Sequence, residues 1–175
     1  MSAPSDTTTT ELGDDADLPR PFRSVYAYWR EQRAGGAAGP GVDDFHLDEL
    51  DPKILPWSVL VDVIGEPLDF RFRFWGTERS NLIGEELTGK TTAATPTAYM
   101  RDANHREYAN VVARRLPALC DTPVTTTTGR ETVFQSMRLP LFGPDGRVAR
   151  IFSAMNYEQI NDVSYEYYGT LRTAG

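Results

Sequence analysis

Residues 70–77 read Phe-Arg-Phe-Arg-Phe-Trp-Gly-Thr. Phe70, Phe72 and Phe74 alternate with Arg71 and Arg73. In a strand successive side chains point to opposite faces, so this run predicts one aromatic and one cationic face. Just upstream, residues 57–64 read Trp-Ser-Val-Leu-Val-Asp-Val-Ile. The β-branched residues suit a second strand, and Gly65-Glu66-Pro67 is a turn. The two runs predict a hairpin whose three phenylalanines face a helical layer.

Outward from the hairpin, the pattern changes period. Phe22, Val25, Tyr26 and Trp29 recur at i, i+3, i+4 and i+7, which is one apolar helix face. Gly35-Gly36 and Gly39-Pro40-Gly41 end it, and residues 34–44 are expected as a loop. Asp51-Pro52 reads as a cap followed by proline at the first helical position, in a turn closed by Pro56. Thr77 to Ile83 fits one or two helical turns stopped by Gly84. Thr95-Pro96 opens a longer helix, to Arg115. Met100, Asn104, Tyr108, Val111, Val112 and Arg115 share one of its sides, and Pro117 ends it.

The rest reads as strands at 122–128, 131–142 and 147–157. Val133, Met137, Leu139 and Leu141 share one face, and Gly143-Pro144-Asp145-Gly146 is a turn with proline where φ must be preset. Two strands, a helical crossover and a three-stranded meander give an α+β domain. Its sheet is expected to be five-stranded and antiparallel, with helices on one face. The expected division is a disordered tail over 1–19, one domain over 20–158 and a C-terminal tail over 159–175.

Composition narrows the function classes. The chain has 175 residues, 40% apolar and 11% aromatic, enough for one domain with an ordinary core. Its net charge of −7 argues against non-specific binding to nucleic acid or an anionic membrane. One cysteine, Cys120, excludes an internal disulfide. Met1 to Leu18 has neither the basic start nor the apolar run of a signal peptide. A cytoplasmic protein without membrane contact is expected. Gly-x-Ser-x-Gly, P-loop and Gly-x-Gly-x-x-Gly motifs are absent. His46, His105 and Cys120 make a poor set of zinc ligands, so no metal is expected.

Several ordered motifs resemble a bacterial family of small, stand-alone PAS-like proteins. They are Tyr28-Trp29-Arg30 on the first helix, Asp51-Pro52-Lys53-Ile54-Leu55-Pro56 before the first strand, Phe70 to Thr77, and Glu86-Leu87-Thr88-Gly89-Lys90. The Asp145-Gly146 turn adds to them. The resemblance spans about 22–157 and implies the PAS fold with an N-terminal flanking helix. It also implies a sensory or protein-interaction role without catalysis. With no output segment after the domain, signalling is expected to pass through a partner protein.

The resemblance further suggests where a ligand would sit. PAS cores often leave a cavity between sheet and helices. Arg73, Tyr99, Tyr108, Gln135, Met137 and Asn156 are the candidate lining for a small organic ligand. Phe22, Val25, Tyr26 and Trp29 are candidates either for packing on the sheet of the same chain or for a homodimer face. No cofactor is assigned. Some PAS domains hold haem through a helical histidine, but His105 lies between Asn104 and Arg106 and reads as a partly exposed helix residue. Leu119-Cys120-Asp121 does not match the cysteine motif of flavin-binding light sensors, so Cys120 reads as a structural thiol. The alternative is a small-molecule enzyme on a cone-shaped α+β fold of the nuclear-transport-factor-like group. That would require an acid–base pair in a deep pocket.

Overall fold

A computed structural model describes residues 7–172. The outer ends of the two expected tails, residues 1–6 and 173–175, lie outside the described residues. The core elements are the hairpin β2 (Ser58–Ile64) and β3 (Asp69–Trp75), and the meander β4 (Ala118–Thr125), β5 (Glu131–Phe142) and β6 (Val148–Met155). Between them come α2 (Thr77–Ile83) and α3 (Ala98–Arg114). Before them stands α1 (Arg20–Glu31), and after them α4 (Asp162–Arg172).

A further strand, β1 (Thr8–Glu11), corrects the expectation of a disordered tail and raises the strand count from five to six. It pairs antiparallel with β4, Thr8 opposite Asp121 and Glu11 opposite Ala118. Its exposed side chains give no apolar alternation to read. Backbone hydrogen bonding holds it, with Leu12 and Leu18 buried behind it. The sheet order is β1-β4-β5-β6-β2-β3, every neighbour antiparallel.

Both faces of the sheet are covered. On one, α2, α3 and α4 enclose Val59, Val61, Phe70, Phe72, Phe134 and Ile151. On the other, α1 lies across Leu60, Met137, Leu139, Leu141, Phe152 and Ala154. The indole Nε1 of Trp29 donates to the Pro140 carbonyl at 3.0 Å and fixes α1 on β5.

One phenylalanine departs from the expectation. Phe70 and Phe72 face the helices, fully buried, but Phe74 packs with the α1-side cluster. The cause is a register shift: Val61 pairs with Phe72 while the adjacent Leu60 pairs with Phe74, leaving Arg73 as the extra residue of a β-bulge. The bulge reverses the alternation, so Trp75 points back to the helices, its ring edge-on to Phe72 at 4.7 Å. Gly76 then runs against the turn before β2, where a Cβ would stand 2.2 Å from the Pro56 carbonyl oxygen. Only glycine fits that approach.

The C-terminal segment carries an element of its own. Over 162–172 it is helical, and Tyr167 and Tyr168 are buried against Phe134.

Candidate functional site

The side chains expected to line one cavity stand on two sides of the sheet. Tyr108 projects from α3 into the helix-side core. Tyr99 packs on the same side and donates its hydroxyl to the Pro123 carbonyl at 2.8 Å. Met137 lies under α1 on the opposite face. Gln135 is two residues away on the same strand and accepts from Asn156 Nδ2 at 2.8 Å. It also donates to Asp121 at 2.9 Å. Arg73 is the bulged residue on the outer edge. It donates through Nε to Asp62 at 2.7 Å, and Asp62 also meets Arg150 and Arg71. The carboxylate that the strand arginines clamp is therefore the chain's own. Tyr99 and Tyr108 belong together; Arg73, Gln135, Met137 and Asn156 do not join them.

What surrounds Tyr108 is a charged cluster that sequence reading missed. Arg138 on β5 and Glu107 on α3 are 3% and 2% exposed at the side chain, with Nη2 and Oε2 2.6 Å apart. Arg138 also bonds Glu107 through Nε at 3.1 Å, Asn104 through Nη2 at 3.1 Å, and Tyr108 and Ser153 through Nη1. Its guanidinium carbon stands 4.5 Å from the Tyr108 ring centre. Glu107 takes its remaining bond from the Thr122 hydroxyl at 2.9 Å. Burial opposes the charge on Arg138, yet Tyr108 and Glu107 outweigh it and hold the guanidinium above its ordinary value. Every partner needed for a tolerable buried ion pair is present.

Arg79 is not satisfied in this way. Arg79 on α2 is 3% exposed, and among the described residues its Nε has no hydrogen-bond partner. Its guanidinium carbon lies 5.0 Å from the ring centre of Trp75, whose buried Nε1 likewise meets no acceptor among the described residues. Burial holds the Arg79 guanidinium below its usual value.

His105 is half-buried. Its Nε2 lies 3.2 Å from the Leu68 carbonyl, and its ring meets Phe70 edge-on. Cys120 is fully buried on β4, and burial followed by the Glu107 charge pushes its thiol up to about 12. A thiol so held is a poor nucleophile at neutral pH. The four candidate dimer residues of α1, Phe22, Val25, Tyr26 and Trp29, are 0–4% exposed and packed on the sheet of the same chain. A dimer made through them would require α1 to leave its sheet. Among the described residues no helix is long and apolar enough to cross a membrane.

A sequence model of the PAS domain matches residues 19–156. The chain belongs to the PAS domain family. The PAS fold supports a sensory or interaction role. Among solved structures, this PAS domain is similar to an RNA-binding light-oxygen-voltage receptor, at 12% identity and a TM-score of 0.46. That match covers 99% of this chain and 44% of the receptor chain, so the PAS domain spans less than half of that relative. It is also similar to the light-state LOV domain of the blue-light photoreceptor Aureochrome1, at 9% identity and a TM-score of 0.41, covering 69% of this chain and 91% of that one. A fungal LOV domain photoreceptor shares 15% identity at a TM-score of 0.41, covering 75% and 88%. No curated protein matches the sequence.

Proposed function

We propose that this PAS domain is a non-catalytic cytoplasmic sensor. It binds a small organic ligand between its helices and its sheet and passes its state to a partner protein. The observation that carries the reading is the cluster of Arg138, Glu107, Asn104, Tyr108, Ser153 and Thr122 between α3 and the middle of the sheet. A filled apolar core would be cheaper there, because desolvating two charges costs several kcal/mol per ion before their attraction offsets it. Polar groups converging in an apolar surround are the usual lining of a ligand site. Tyr99 and Tyr108 remain candidate ligand contacts. The reading assigns no acid–base pair, which separates it from the enzyme alternative.

Native mass spectrometry of the purified protein tests the ligand. A retained mass that Tyr108→Ala releases supports the reading. A bare polypeptide that no compound library stabilises against heat sinks it. The protein also forms a homodimer, through contacts other than the four buried α1 side chains, and light scattering at micromolar concentration reads this directly.

A further inference from the structure

We infer that Arg79 and Trp75 form the recognition point for an oxyanion, a carboxylate or phosphate group carried on a small ligand, under α2 and α4. This inference rests on reading the helix–sheet interface as a ligand site and names the chemistry of its occupant.

An arginine side chain stays protonated at any ordinary pH. Arg138 meets Glu107, and that pair is neutral as a unit. Arg79 then adds one buried positive charge, and among the described residues no carboxylate lies within ion-pair distance of it. The ionisable groups near enough to act on its charge are Tyr168 from α4, Tyr108 and Glu107 from α3, and Arg138 from β5. Glu107 is already bonded on both oxygens, to Arg138 and to Thr122.

Hydrogen bonding points the same way. Two neighbouring buried donors, Arg79 Nε and Trp75 Nε1, have no acceptor among the described residues. Native interiors leave few such groups unpaired. A water molecule could satisfy the donors but could not neutralise the guanidinium; an oxyanion does both. Guanidinium groups suit such ligands because they can donate to two oxygens in parallel. The surround is apolar and aromatic, with Leu82, Ile83, Phe72 and Tyr168 in the same core cluster. The anionic group should therefore sit on an apolar body, and benzoate is a fitting probe.

The test is a titration of the full chain followed by the Trp75 indole Nε1–H and Arg79 Nε–H resonances. Benzoate, acetate and inorganic phosphate are added separately, with neutral benzamide as control. The expected result is a saturable shift of both resonances with benzoate or phosphate and little with benzamide. In Arg79→Met the apparent Kd should weaken at least about tenfold. That variant should also melt higher than the parent without anion, because it removes an uncompensated buried charge. If Arg79→Met does not fold, Arg79→Gln takes its place, and the parent titration stands without either.

Resonances unmoved by all three anions overturn the inference, as does a benzamide response equal to benzoate, which signifies hydration only. If native mass spectrometry shows a retained ligand while the anions do nothing, the anion assignment alone falls. If neither experiment finds binding, the ligand reading falls with it.

Discussion

Replacing Arg138 by methionine would leave the Glu107 carboxylate buried with only the Thr122 hydroxyl to meet it. Breaking one side of a buried pair costs about 3–5 kcal/mol. Arg138→Met should lose that much in urea denaturation, while Arg138→Met with Glu107→Met should lose much less than the two single changes added together. Gly76→Ala is expected to destabilise by about 2–3 kcal/mol or more, because the new methyl meets backbone rather than a movable side chain. Cys120 gives a pH signature. Its thiol is raised from 9.0 to about 12 on folding, so its contribution is full below pH 9 and lost as pH climbs towards 12. Denaturation between those values should steepen in the parent relative to Cys120→Ala. Part of this chemistry was legible in the sequence. Helical spacing put Asn104 and Tyr108 on one face, and both are in the cluster. Arg138 was not legible, since its partner lies 31 residues away on another element. Nor was the turn of Phe74, because Phe-Arg-Phe-Arg-Phe looks the same with or without a bulge.

At the scale of elements, β1 and α4 hold the clearest consequences. Arg114, in the last turn of α3, is ion-paired with Glu11 of β1, and Tyr26 on α1 donates to the backbone at Leu12 and Gly13. Deleting residues 1–13 removes the strand and these ties together. The truncated protein should melt earlier, and hydrogen exchange should accelerate at the amides of Leu119 and Asp121, which face Thr10 and Thr8. Unchanged exchange there would mean that β1 is not paired in solution. The hairpin, the crossover helix and the meander were readable because each carries a period and turn residues. The two terminal elements were not. Polar, Thr-rich β1 is held by a neighbouring backbone, and α4 declares itself only through two tyrosines that need Phe134 beside them.

At the scale of the molecule, the sheet has a helix-covered core on each face. A chain with net charge −7 still carries a local group of Arg71, Arg73 and Arg150 around a single Asp62 on one edge. Strands β2 to β6 are the floor of one compartment and the ceiling of the other. Any tilt or slide that makes room beneath α3 must deform the bed on which α1 rests. Ile151 and Phe152, adjacent on β6 but on opposite sides, sit on that shared partition. Trimming both, to Val and Leu, should give a stability change that departs from the sum by about 0.5 kcal/mol or more. A departure of that size would mark the sheet as a diaphragm, carrying pressure from one side to the other without a hinge or a moving loop.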